Sequence, residues 1–528
     1  MPLTRRRFLQ GAAPLGLSTL VPSCGGVDIG PSLLEPEPGS GESRFMHGVA
    51  SGDPLADAVI LWTRVTPPET EEEREQSEGM DVEWRVALDA DMAEIVVGGI
   101  ETTDSSRDFT VKVDVIGLEP GTTYYFDFGV RGLRSVVGRT RTLPAEGASR
   151  ARIAVTSCAN YPAGYFNVYR IIAERTDVDL VVHVGDYLYE FPNGSLGDGT
   201  AIGRLPSPDH EALSLEDYRT RHAQYKADPD LQELHRQHPF IAVWDDHEVA
   251  DNAYRSGADN HQSDSEGDWE ARKESATRAY FEWMPIRAFS PGDMQRVYRA
   301  FKFGDLFDLI MLDTRLAGRD ALISGNCDVE GIQDATRTLL GSEQEEWLLS
   351  ELRASSARGA RWHLVGQQVM FGQLSDLARG CVTEPDQWDG YAPSRARLFS
   401  ALRDEALDNV VILTGDAHSS WAFDLAEQPF DPVRYDGATG AGSLAVEFVA
   451  PGVSSPGDGA AVDELLATHP HLKFAETTRR GYVLLDLTPE RIQAEWYFVR
   501  TVDERDTVEE LGAAFEVRAG ENRLERIS

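Results

Sequence analysis

Cysteine is scarce in this chain, with four in 528 residues, at Cys24, Cys158, Cys327 and Cys381. So few exclude a small disulfide scaffold, which uses bridges where it has no adequate core. Cations are also in short supply: 50 Lys and Arg stand against 88 Asp and Glu, a formal net charge of −38. That balance excludes a nucleic-acid-binding surface and a partner surface on anionic membranes, since such a chain repels both at long range. Most of the surplus belongs on a solvated surface. Past residue 23 no apolar run approaches the ~20 residues of a membrane helix. Mean hydropathy is −0.34, and the body of the chain reads as soluble. Apolar residues make up 41% of the sequence, enough for proper cores. The length suits two or three domains.

The amino terminus reads as an address. Thr4-Arg5-Arg6-Arg7-Phe8-Leu9-Gln10 resembles a twin-arginine export signal, and an apolar stretch from Gly11 to Val21 follows. Val21-Pro22-Ser23-Cys24 loosely resembles a lipoprotein box, which leaves a lipid anchor through Cys24 or simple cleavage as alternatives. Residues 1–24 are thus a signal for the twin-arginine export machinery. The expected location is periplasmic, extracellular or lipid-anchored at the cell surface. Residues 25–44 form a Gly/Pro/Ser/Glu-rich linker.

From Phe45 onward short apolar or alternating runs, Val59–Val65, Val82–Leu88 and Phe109–Val115, are separated by turn residues. Gly117–Phe126 resembles the corner that opens a late strand in fibronectin-type sandwiches. The expectation for 45–143 is a small β-sandwich. After a linker at Thr142–Gly147, strands alternate with helical stretches, which predicts an α/β (α+β layered) domain with mixed sheets over 150–500 and a tail over 501–528. One helix is expected from about Asp268 to Trp283. Another is expected to open at Ser342, with Glu345 at capping-box spacing. The long polar segment Phe191–Ser214 reads as a loop over the site.

Five strand-like runs end in groups able to bind metal or phosphate: Ser157-Cys158, Gly185-Asp186-Tyr187-Leu188-Tyr189, Asp245-Asp246-His247-Glu248, Asp313-Thr314-Arg315 and Gly415-Asp416-Ala417-His418. In an open α/β sheet the ligand site lies outside the carboxyl ends of the strands. One strand-end Asp often only caps a turn; five such ends predict convergence on one polar site. Gly185 and Gly415 allow backbone and metal to approach closely.

These residues resemble the motifs of the alkaline phosphatase D family of metallophosphatases. Ser157-Cys158, Gly185–Tyr189, the intact string Trp244–Glu248 and Gly415–His418 followed by Ser419-Ser420-Trp421 carry the resemblance. His47–Pro54 and Thr63-Arg64 resemble its amino-terminal domain, so the likeness spans about 45–500. The resemblance implies an exported hydrolase of phosphate monoesters or diesters that uses a metal-held hydroxide at a two-metal centre. It implies Fe3+ beside Ca2+. Carried over residue by residue, iron takes Cys158, Asp186, Tyr189 and His418. Calcium shares Asp186 and takes Asp246 and Asp416, with Asn252 a further candidate. His247 is expected to face the leaving group as proton donor or charge stabiliser. A thiolate and a phenolate would be hard to explain around calcium alone.

Alternatives stay open at several positions. Tyr187 competes with Tyr189 as the phenol, and Asp245 with Asp246 as the carboxylate. Asn160 and Arg315 are candidate substrate contacts, with a structural ion pair to Asp313 as the bland reading of Arg315. Gln367-Gln368 reads as core amides or substrate contacts, and His183 as a satisfied core histidine. The rival functions are a purple-acid-type phosphatase with another metal pair, which Cys158 and the Asp-Asp-His-Glu string oppose, and an exported adhesion module, which has no use for five polar strand ends. If Cys158 binds metal and Cys24 is lost or lipidated, Cys327 and Cys381 remain. Both sit in Gly-containing, turn-like segments of an exported chain, which predicts a disulfide between them.

Overall fold

The computed structural model describes residues 44–66, 79–323, 325, 327–376 and 380–528. The export signal, Cys24 and all but the last residue of the linker fall outside the described residues. Among the described residues, no helix is long and apolar enough to cross a membrane.

Two mixed sheets carry the expected α/β layers. The larger has ten strands, and its centre runs Gly481–Leu487, Ala151–Thr156, Leu180–His183, Phe240–Ala242 and Val49–Gly52. The second has seven, including Phe307–Met311, Trp362–Gly366, Val410–Thr414 and Ser443–Val449, which are mutually parallel. Such strands are apolar throughout because both faces are covered: every residue of Val410–Thr414 is buried. Along them, side chains alternate between two cores. Leu309, Leu364 and Val411 join Val155, Val182 and Ile241 of the larger sheet in one cluster. Ile310, Val365 and Ile412 face the helix residues Leu348, Leu352, Leu398 and Leu402 in another.

The polar strand ends therefore do not line the rim of one open sheet. Those at Ser157, Gly185 and Asp245 belong to the larger sheet, and those at Asp313 and Gly415 to the smaller. Periodicity reveals strands but not sheet membership, because partner choice is a long-range matter.

The amino-terminal strands pack as two layers around Val59, Leu61, Val82, Val86, Phe126 and Phe128. The corner at Gly117–Phe126 is closed by the Glu119 N–H, which donates to the Tyr124 hydroxyl at 2.9 Å. One layer, Val49–Gly52, Ala58–Arg64 and Thr110–Ile116, is the continuation of the ten-stranded sheet, with Gly52 in register with Phe240. The sandwich and the larger layer thus share a sheet.

The helix Trp269–Trp283 starts where expected, with Asp268 as its cap through Ala271 N at 3.1 Å. The capping box at Ser342 is not formed. That helix runs Gly341–Arg358 with no side-chain cap, and Glu345 pairs with Arg397 instead. The segment expected as a tail, 501–528, contains the strands Glu509–Arg518 and Leu524–Arg526. The first is ordered by burying Ala513, Phe515 and Val517. The segment Phe191–Ser214 is irregular and is pinned by the buried Arg221, which donates to the carbonyls of Phe191, Ser207, Pro208 and His210.

Cys327 and Cys381 form a disulfide with a Cα–Cα distance of 4.1 Å, across a sequence separation of 54. Among the described residues Cys158 is the one free cysteine, and it is buried. Replacing Cys327 and Cys381 together by Ser is expected to lower stability by ~2–4 kcal/mol, read as a fall in the urea midpoint at unchanged m-value.

Candidate metal centre

The five polar strand ends meet. The Sγ of Cys158, a carboxylate oxygen of Asp186 and a ring nitrogen of His418 lie within 4.8 Å of one another. So do ligand atoms of Asp186, Asp246 and His247, and of Asp245, Asp246 and Asp416. Asp186 is common to the first two groups and Asp246 to the last two, so the groups form one continuous cluster, buried throughout.

Backbone conformation aims these side chains. Cys158, Asp186, Asn252, Asp416 and His418 all have φ between 53° and 59°. Left-handed backbone is costly for residues with a Cβ, and such residues persist where the surroundings over-determine them. Two glycines let the strand ends crowd together. Gly185 has φ +108°, and a Cβ on it would lie 2.5 Å from that of Asp245. A Cβ on Gly415 would meet Ser157 across the sheet-to-sheet gap at 2.8 Å.

Tyr189 resolves the choice between phenols. Its hydroxyl donates to Asp186 Oδ2 at 2.7 Å, lies 2.9 Å from His418 Nε2 and accepts from Ser455 Oγ at 2.7 Å. The Tyr187 hydroxyl instead pairs with His235, 2.9 Å away. His418 Nδ1 is 3.2 Å from the Pro456 carbonyl, a contact that turns Nε2 toward Tyr189 and Asp186. Asp246 accepts the backbone N–H groups of His247 and Asn252 at 3.0 and 2.7 Å. Asp245 is not set aside: one of its oxygens is taken by Arg315 and the other is buried without a protein partner. Asn252 sits beside Asp246, half-buried, with its amide 3.4 Å from Asp259.

The donor set fits a multivalent cation. Burial, then the Asp186 charge, pushes the Cys158 thiol well above its usual range, and the same two causes raise the Tyr189 phenol. One Asp186 oxygen is buried without a protein partner. A sealed thiol, phenol, imidazole and carboxylate gathered in this way would be balanced by a metal ion, which favours their deprotonated forms.

The two candidate substrate contacts, Arg315 and Asn160, both have protein partners. Arg315 is fully buried and its guanidinium is spent on Asp245, Asp386 and Asp416. It does not pair with Asp313, whose carboxylate caps the turn by accepting the backbone N–H of Arg315 and Leu316. Asn160 donates to the Leu196 carbonyl at 2.6 Å and so ties the segment Phe191–Ser214 to the strand end at Cys158. Gln367 and Gln368 are core amides. Gln368 accepts from Thr314 and donates to the carbonyls of Trp244 and Leu312, which ties the two sheets together. His183 is a satisfied core histidine, 2.9 Å from the Tyr169 hydroxyl.

Sequence reasoning missed Glu190, Gln387 and Asp386, and placed Glu248 among the polar strand ends without giving it a role. Glu190 is fully buried and contacts His247 Nδ1 at 2.7 Å. Glu248 accepts the backbone N–H groups of Asp186, Tyr187 and Asp245 at 3.1, 2.6 and 2.7 Å, so it clamps two strand ends with one carboxylate. Burial, then the Asp186 charge, raises its pKa to about 8. Gln387 donates to Asp416 Oδ2 at 2.6 Å, and Asp386 receives Arg315 and Arg319. The last two follow Cys381 in a loop without periodicity. Only the adjacency of Glu190 to Tyr189, and of Glu248 to His247, was a signal. A surface cavity of about 530 Å³ is lined by Arg255, Arg296 and Tyr298, and none of the candidate site residues lines it.

Residues 153–496 match the family model described as PhoD-like phosphatase, and residues 32–144 match the model of the PhoD-like phosphatase N-terminal domain. The chain is 35% identical to alkaline phosphatase D of Bacillus subtilis (strain 168) over 539 residues, which cover 99% of this chain and 89% of that protein. It is also similar to the solved structure of PhoD, with a TM-score of 0.83, 35% identity and 92% of each chain covered.

The Glu248 clamp is open to test. Glu248→Ala strands three buried backbone donors at an expected ~1–3 kcal/mol each, so urea unfolding should register a loss of at least about 3 kcal/mol. Glu248→Gln, which keeps one acceptor oxygen, should lose less.

Proposed function

The chain belongs to the PhoD-like phosphatase family and is a phosphate-ester hydrolase, and from that premise we propose that it acts at a two-metal centre built on Asp186. The observation that carries this reading is the shared carboxylate: Asp186 stands in one ligand group with Cys158 and His418 and in another with Asp246 and His247. Cys158, Asp186, Tyr189 and His418 would hold a ferric ion, whose affinity for thiolate and phenolate matches this donor set. Asp186, Asp246, Asp416 and Asn252 would hold calcium, which prefers oxygen ligands. When bound, the two ions supply positive charge to the phosphoryl oxygens and acidity to the attacking water.

The chain's own groups do the rest. His247 is the proton donor to the leaving oxygen, through Nε2. Glu190, 2.7 Å from Nδ1, holds the ring, and the rings of Tyr189 and Phe191 flank it with centroids 4.2 and 5.4 Å away. Burial alone would lower the His247 pKa, but the charges of Glu190, Asp246 and Asp186 raise it well above the usual value. Asn160 keeps the covering loop over the site. Small-molecule phosphate esters reach the centre of a chain that carries −38 formal charges, so attraction comes from the ions and not from the surface. The leader read in 1–24 sends the folded protein out by the twin-arginine route.

Purified protein is expected to contain iron and calcium and to show a visible phenolate-to-iron band. Tyr189→Phe should bleach the band, and chelation should abolish hydrolysis of both a monoester and a diester in parallel assays. A colourless wild-type protein without iron would defeat the iron assignment. His247→Asn should lower kcat by ~10²–10⁴-fold while iron content, measured by metal analysis, stays at the wild-type level.

A further inference from the structure

Arg315 lies in a buried cluster with Asp245, Asp246, Asp386 and Asp416; Arg319 pairs with Asp386 alone, and among the described residues Arg315 is the cation that reaches Asp245 and Asp416. Its Nε donates to Asp245, its Nη1 to both oxygens of Asp386 at 3.0 and 3.1 Å, and its Nη2 to Asp416 at 2.7 Å, with Asp246 Oδ2 at 3.6 Å. The side chain is fully buried. A planar guanidinium with five donors is the side chain able to bridge three carboxylates at once. Its aim is built into the fold, since Asp313 caps the turn that presents it and Gln344 locks Asp313 by accepting its N–H and donating to its carbonyl at 2.8 and 2.7 Å.

We propose that Arg315 is a built-in substitute cation: it neutralises the calcium-side carboxylates in the metal-free chain, so that the fold forms without the ion, and it opposes calcium at the same oxygens. This rests on the metal reading above. The physical reason is competition for one set of charges. Asp246 and Asp416, assigned to calcium, are the carboxylates that Arg315 Nη2 faces. Without the guanidinium, Asp245, Asp246 and Asp416 would repel one another in a dry site, while Asp386 would keep Arg319; breaking a buried pair by removing one partner is strongly destabilising. Once calcium is bound it supplies that charge itself, so the arginine is needed less. Arg315 is thus a positioning residue for the centre and not a substrate contact.

Linkage makes the idea measurable, because a ligand that binds the native state more tightly stabilises it more at the same concentration. Thermal unfolding of chelator-stripped full-length protein, titrated with calcium alone, is compared for wild type, Arg315→Gln and Arg315→Lys. Metal-free Arg315→Gln is expected to melt well below wild type, and calcium should recover most of that loss. The calcium concentration for half the thermal shift should fall by roughly tenfold or more, the effect of one nearby unit charge at about 1.4 kcal/mol per decade. Arg315→Lys keeps the charge without the fork and should melt between the other two. If metal-free Arg315→Gln does not fold, Asp386→Asn, which loosens one side of the arginine, should still give a smaller version of the same gain in calcium response. An equal loss with and without calcium would make Arg315 an ordinary structural ion pair and overturn the proposal alone. Weaker calcium binding in Arg315→Gln would also overturn it, as would the absence of any increase in Asp386→Asn where that variant is needed. If calcium shifts neither wild type nor the variants, the calcium assignment falls and the proposal with it.

Discussion

Four carboxylates, Asp186, Asp245, Asp246 and Asp416, are gathered where almost no water reaches, each at most 4% exposed. Charges so placed repel strongly, and in isolation such groups would take up protons instead of staying ionised. Every unusual feature nearby answers that constraint. Left-handed backbone at Asp186 and Asp416 turns the carboxylates inward, Glu248 accepts the backbone N–H groups of Asp186 and Asp245, Gln387 donates to the Asp416 carboxylate, and Arg315 brings in one positive charge. The remainder of the charge balance is the opening for metal ions.

The scaffold is arranged around that junction. Two sheets, not one, deliver the ligands, so the site lies between layers that pack on a common core. Gln368 and the close approach of Gly415 to Ser157 keep the two sets of strand ends in register. The amino-terminal layer stiffens the same sheet from its other side. Gly52 pairs with Phe240, the first residue of the run that leads to Asp245, and Arg299 joins Asp53 to the Ala242 carbonyl. A change in the sandwich is therefore felt by the strand that presents Asp245 and Asp246.

Much of the candidate site was legible in the chain because each ligand follows a run of buried apolar residues. Cys158, Asp186, Asp246, Asp416 and His418 stand next to the strands that deliver them, and the two remaining cysteines could be paired by elimination. The rest was not legible for physical reasons. Glu190 and Glu248 work through contacts fixed only when the strand ends are brought together. Asp386 and Gln387 lie in a loop that the Cys327–Cys381 bridge holds, and nothing in their local pattern distinguishes them from surface polar residues.

Local residue order by itself determined the chemistry: which side chains end buried strands, which glycines let them crowd, and that thiol, phenol, imidazole and carboxylate occur in one series. Those features depend on neighbours a few positions apart. The tertiary structure alone decided the partnerships: the Tyr189 hydroxyl on Asp186 and that of Tyr187 on His235, Arg315 turned to carboxylates, the sandwich layer merged into the larger sheet, and 509–518 drawn in as a strand. Each of these rests on contacts between segments far apart in the chain, whose geometry is set by packing two sheets over one core and is not encoded in any single stretch of residues.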